Sequence, residues 1–294
     1  MSSPQAPSIF NAAARRSKRL RAARMDGDFH FLWKEAAADV VDRLETVLKR
    51  FDTALFYGPA AATVKDALTE KADVGEVVLA DSVSVRRDVI EADPAALPFN
   101  DRQFDLVVSV MALHAVDHIH SALVEARRVL KPDGLFIAIF PGERTLTELR
   151  LSLQAAETSV LGRVSARVMP FVAVKDGGAL LQAAGFALPV SDVATVPVSY
   201  QDPFRLFQDL RGMGETSHLK AGPKGALRRD VVGAALTHYR EHYGNSEGGV
   251  RARFDLVCLT GWAPHGSQPK PLRPGSAKMS LADAVKDFDP SKDQ

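Results

Sequence analysis

The residues best placed for chemistry are acids and a histidine that close apolar runs. Val77-Val-Leu-Ala-Asp81 and Asp88-Val-Ile-Glu-Ala-Asp93 each read as a short buried strand ending in a carboxylate. His114 follows a longer run, Phe104-Asp-Leu-Val-Val-Ser-Val110. In open α/β sheets, ligands collect beyond the carboxyl ends of the strands. There His114 could serve as a base or touch a substrate, with a packing or surface role as the alternative. Asp81 and Asp93 are ligand acceptors or plain polar strand ends. Glu148, Arg150 and Glu157 could hold a guanidinium or carboxylate of a protein substrate, or pair along their own helix. Arg211-Gly-Met-Gly-Glu215 places two glycines in a short turn, which suits close backbone approach to a ligand or to the chain itself. Asp117, His118 and His120 lack a regular metal-ligand spacing, and no metal motif is expected.

Arg15, Arg16, Lys18, Arg19, Arg21 and Arg24 fall together with no acid before Asp26, although the whole chain carries a net charge of only +1. The remainder is therefore mildly acidic. Residues 1–28 read as a basic arm in which Arg15, Arg16 and Arg19 would meet an acidic partner. The alternatives are nucleic acid or an anionic lipid surface, a transit-peptide-like segment, and a solvated helix packed on its own domain.

Elements that would position these residues follow from hydrophobic period. Leu32, Ala36, Val40, Leu44 and Leu48 recur at helical spacing over 29–51. Thr53-Ala-Leu-Phe-Tyr57 before Gly58-Pro59 predicts a strand and a tight turn. Helices are expected over 119–130 and 145–161, the second opened by a Thr145/Glu148 capping box, with Lys131–Gly134 as a turn between helix and strand. The alternation predicts a doubly wound, mostly parallel sheet, because parallel neighbours need crossovers. A helix over 177–184 and antiparallel strands over 192–200 and 253–262 would complete it. The domain is expected to span 29–266, followed by a mobile tail, 267–294, in which Met279 to Ala284 could dock. With 294 residues, 46% hydrophobic and 25% charged, the chain is neither disordered nor fibrous. No apolar run is long enough to span a membrane, and the single Cys258 excludes an intramolecular disulfide, favouring a reducing, cytoplasmic setting.

Asp93-Pro-Ala-Ala-Leu-Pro-Phe99, Phe104-Asp-Leu-Val-Val-Ser109 and Val129-Leu-Lys-Pro-Asp-Gly134 resemble the middle of class I methyltransferases that use S-adenosylmethionine (SAM). Leu146 to Glu157, Leu210 to Glu215 and Tyr239-Arg-Glu-His-Tyr243 resemble the methyltransferase-fold assembly factor of respiratory complex I. That family implies an arginine hydroxylase acting on a complex I subunit, in the mitochondrial matrix if the source is eukaryotic. A more distant resemblance is to the malonyl-acyl-carrier methyltransferase of biotin synthesis. The likeness implies a Rossmann-like fold with added helices, Gly58 in the cofactor loop, Asp81 on the ribose hydroxyls and Asp93 on the adenine amine.

The resemblance breaks at the loop. Aligned on Gly58, Phe56 stands where the family has an acid, and Ala60 and Ala62 replace two glycines. Alanine at φ > 0 would be strained, so another loop shape is expected. Between Asp81 and Asp88 the chain is too short for a crossover helix. These departures predict a protein-binding or assembly factor with a degenerate SAM site, its crevice filled by Phe56 or Tyr57 and its binding surface formed by 145–157 and 210–215. An active SAM-dependent methyltransferase or arginine hydroxylase is the first alternative, and an adaptor led by the basic arm the second.

Overall fold

The central strands are apolar on both faces because both faces are covered. The computed structural model describes residues 8–223 and 225–269. In it β1 (Phe51–Tyr57), β2 (Val74–Asp81), β3 (Val89–Glu91), β4 (Phe104–Val110), β5 (Leu130–Pro141), β6 (Ala187–Tyr200) and β7 (Val250–Trp262) form one sheet of order β3-β2-β1-β4-β5-β7-β6. β1 to β5 are parallel, with Leu55 beside both Val78 and Val107, and β7 runs antiparallel between β5 and β6. Period-two alternation splits the core into two layers. Phe56, Val108 and Ile137 pack with α2 (Phe31–Glu45) and α3 (Ala61–Ala67), whereas Leu55, Val107 and Phe136 pack with α4 (Ile119–Val129) and α6 (Val174–Ala183).

Several local expectations are corrected. Leu48 continues the spacing of Leu32 to Leu44, yet α2 ends at Glu45 and Leu48 stands fully exposed in the link to β1. Lys131–Gly134 lies within β5, where the pairing with β4 shifts register and Asp133 takes φ 62°. The capping box at α5 (Thr147–Leu161) does not form. Thr145 Oγ1 instead donates to the Asp255 carbonyl and accepts from the Asp255 amide, tying the start of α5 to β7.

No helix joins β2 to β3, as the short link requires, and Leu79 pairs directly with Val89. The described residues up to Pro264 form one compact unit, α1 (Ala12–Ala22) included. Residues 265–269 contain a turn in which the Gln268 amide donates to the His265 carbonyl. The rest of the expected tail, including Met279 to Ala284, lies outside the described residues. Among these, no helix is long and apolar enough to cross a membrane.

Candidate functional site at the strand ends

Asp81 closes β2 and is 2% exposed. Its Oδ1 accepts from the Ser82 amide at 2.7 Å, and its Oδ2 takes Nη2 of Arg19 at 2.8 Å, both side chains being buried. Arg19 comes from α1 (Ala12–Ala22), capped by Asn11, whose side chain accepts from the Ala14 amide. Arg15, Arg19 and Ala22 share one helical face, and that face is buried. The basic segment is thus part of the domain instead of a solvated arm. Arg16, half-exposed, pairs with Glu91 at 2.5 Å, and Lys18 donates to the carbonyls of Thr216 and Ser217. The charges expected to meet an acidic partner are largely engaged within the fold.

The glycine turn explains how Arg19 reaches Asp81. After α7 (Pro203–Gly212), Gly214 has φ 77°, and a Cβ there would sit 2.7 Å from Arg19 Cδ. A Cβ on Gly212 would overlap the Phe29 ring. Both glycines admit the chain's own side chains. Arg211, just before them, remains exposed.

Glu215 ends the turn and meets His114, whose Nε2 donates to Oε2 at 2.9 Å. Burial would raise the Glu215 pKa, but the attraction of His114 and this hydrogen bond, helped by Arg15 and Arg19, bring it down to about 2. His218, 2% exposed, finds no partner for either ring nitrogen among the described residues. Burial first, with Arg15 and His114 adding, lowers its pKa to about 4 against the pull of Glu215. Met111, at the end of β4, takes φ 57°, an uncommon conformation for a non-glycine residue. The sequence marked His114 and Glu215 separately. Their pairing, Arg19 against Asp81, and His218 were not anticipated.

Phe56 and Tyr57 do not fill the crevice, contrary to expectation. Phe56 lies in the core layer under α2 and α3, and the Tyr57 hydroxyl donates to the Ala92 carbonyl at 2.9 Å. Arg19 is what covers Asp81. Gly58 has φ 111°, and a Cβ would run into the Val110 carbonyl, so this glycine serves packing between β1 and β4. Ala60 has φ −92°, an unstrained value, in a loop that leads straight into α3. Asp93 is exposed, accepts from the Ala95 amide at 2.8 Å, and lines a cavity of about 500 Å³ to which Asp81 does not contribute. Asp81 is thus covered by Arg19, while Asp93 faces a cavity that Asp81 does not line.

The remaining candidates lie elsewhere. Glu157 is fully buried, bound by Arg167 Nε at 2.6 Å and the Ser165 amide at 2.7 Å, and so anchors the chain after α5 instead of meeting a partner. Glu148 is half-buried, with Oε2 unpartnered among the described residues, and Arg150 donates to Thr147 Oγ1 at 3.3 Å. A groove of about 300 Å³ runs between α5 and α7, lined by Leu149, Leu153, Met169, Phe207 and Leu210, with Glu215 also reaching it.

The profile of a methyltransferase domain matches residues 60–138. The solved structure of YcgJ from Bacillus subtilis superposes with a TM-score of 0.51 at 16% identity, covering 79% of this chain and 99% of that one. Fold and matched segment together define a Rossmann-like, class I methyltransferase-fold protein. The mouse protein called mitochondrial arginine-hydroxylase NDUFAF5 is 38% identical over 97% of this chain and 86% of its own length. A malonyl-[acyl-carrier protein] O-methyltransferase of Halorhodospira halophila is 29% identical over 96% of this chain and 97% of its own. The chain belongs to the NDUFAF5 family.

Proposed function

We propose that this protein works by binding another protein, in the assembly of respiratory complex I, and does not transfer a methyl group from SAM. The observation that carries this reading is the buried Arg19–Asp81 pair, which occupies the carboxylate that relatives of the fold would offer a ribose. Ala60, Ala62 and the helix-free 82–88 link support it, since each removes part of a cofactor cradle. Titration calorimetry is expected to detect no SAM binding at about 100 μM, a free energy weaker than roughly 5.5 kcal/mol. A saturable micromolar constant overturns this.

The docking surface we assign is the apolar groove between α5 and α7, with half-buried Phe207 at its wall. Large apolar anchors dominate protein interfaces. Phe207→Glu is expected to weaken capture of the complex I partner by about tenfold or more while leaving the fold intact, since the side chain is only partly buried. Unchanged capture by a folded variant places the surface elsewhere.

Kinship with an arginine-hydroxylase favours one enzymatic alternative, hydroxylation of an arginine on that protein partner. Mass spectrometry of the partner after incubation with the protein distinguishes the two: an added oxygen on an arginine assigns the enzyme. The adaptor reading loses its main support, because Arg15 and Arg19 are buried and Arg16 is paired.

A further inference from the structure

We infer that His238 and His242, side by side on α8 (Arg229–Tyr243), form a two-histidine site for a divalent transition-metal ion such as Zn2+ or Ni2+. This goes beyond the assembly reading and does not depend on it. The two residues stand four apart on one helix and so share a face. Their rings lie nearly parallel, 13° between planes, with centroids 4.0 Å apart. Each Nδ1 is already engaged. That of His242 donates to the His238 carbonyl at 3.0 Å, and that of His238 meets Ser152 Oγ, on α5, at 3.1 Å. Ser152 is fully buried, so its hydroxyl holds the His238 ring against the body of the protein. Neither Nε2 has a hydrogen-bond partner among the described residues.

A metal-binding histidine is normally arranged in this way. With the proton on Nδ1 and given to a carbonyl or hydroxyl, the tautomer is fixed and the Nε2 lone pair is left for the ion. Ser152 Oγ is able to accept that bond. Partial burial first, then repulsion from His242, holds the His238 pKa below the usual 6.5 against the pull of Glu241, so the ring is neutral at pH 7. His242 is exposed, and its ring can adjust until both nitrogens stand about 2.0–2.1 Å from one ion. Glu241 adds an exposed carboxylate beside the pair. His238-Tyr-Arg-Glu-His242 thus has the His-x-x-Glu-His order of a class of zinc enzymes, in which a third protein ligand completes the site. No group of three metal-ligating side chains occurs among the described residues, so water fills the remaining positions here and the assignment is of binding, not hydrolysis. Imidazole favours zinc, nickel and copper over magnesium. The spacing acquires this meaning only on a helix, so the sequence alone did not mark it.

The test uses the full chain, stripped with a chelator and titrated at pH 7.5 in a non-coordinating buffer with zinc, nickel and magnesium chlorides in titration calorimetry. Zinc or nickel is expected to bind saturably with a constant tighter than about 100 μM, and magnesium not to bind. His242→Ala changes an exposed side chain and should keep the fold while weakening binding by about tenfold or more. His238→Gln should do the same. Because that variant also releases Ser152, His242→Ala decides the matter if His238→Gln fails to fold. A rise in thermal midpoint on adding zinc should likewise be lost in His242→Ala. A His118→Gln, His120→Gln double variant, altered at the other closely spaced pair, should bind as the wild type does. Absence of saturable zinc and nickel binding up to about 1 mM, unchanged affinity in folded His242→Ala, or loss of binding in the 118/120 variant overturns the assignment.

Discussion

Asp81→Ala is expected to destabilise the fold by about 3–5 kcal/mol, read as a lower urea midpoint at neutral pH, because Arg19 would remain buried without its counter-charge. Removing both partners is a different perturbation. An Arg19→Met, Asp81→Leu double variant should recover most of the loss, since two apolar side chains of similar size no longer carry the desolvation penalty of either ion. The comparison isolates the coupling between the two sites. A single-variant loss below about 1 kcal/mol would mean that Arg19 reaches water when Asp81 is gone, and that α1 lifts from the strand ends with little resistance.

Acidification gives the second large effect, and both contributing groups act in the same direction. His218 has a folded pKa near 4 against an ordinary 6.5, so the unfolded chain binds its proton first, and stability is lost as pH falls from 6.5 towards 4. Glu215 has a folded pKa near 2 against an ordinary 4.5, and its contribution is lost from pH 4.5 downward. Each shift corresponds to a loss on the order of 3 kcal/mol when complete, at about 1.4 kcal/mol per unit. Urea midpoints measured from pH 7.5 to 4 should therefore decline from about 6.5 and steepen below about 4.5. His218→Gln should flatten the first part of the decline and leave the second. A wild-type profile that stays level between pH 6.5 and 4.5 would show that His218 is not held neutral in the fold.

The centre of the parallel half was legible because β1, β4 and most of β5 are covered on both faces and must be nearly continuous apolar runs. Leu48 shows the limit of that reasoning: its spacing suits a helix, but the chain needs those residues to turn into β1. In the site, Asp81, Asp93, His114 and Glu215 could be picked out as strand ends or a turn acid. Their partners could not, since the bonds from Arg19 to Asp81 and from His114 to Glu215 bridge 62 and 101 residues. The basic cluster misled for a different reason. A run of like charge is normally solvated, yet Arg15 and Arg19 stand four apart with Ala22 three beyond, the mark of one helical face. For His218 no periodicity offered a signal. Its isolation follows only from the loop after α7 folding over the strand ends.

The position of β7 has a consequence for how the molecule is made. β6 lies at the sheet's edge, paired along its length with β7, while β7 joins it to β5. During synthesis β6 therefore leaves the ribosome well before the strand that holds it, and β5 waits with one edge open. Exposed edges invite pairing with other chains, and long-range strand insertion is slow. Asp255, carried on β7, also receives Arg144 and Thr195 and fixes the start of α5 through Thr145. A nascent chain halted before Val250 would hold the parallel half, but neither a secured β6 nor an anchored α5. The antiparallel end closes in a single late insertion, and that interval is when the newborn protein is most exposed to aggregation.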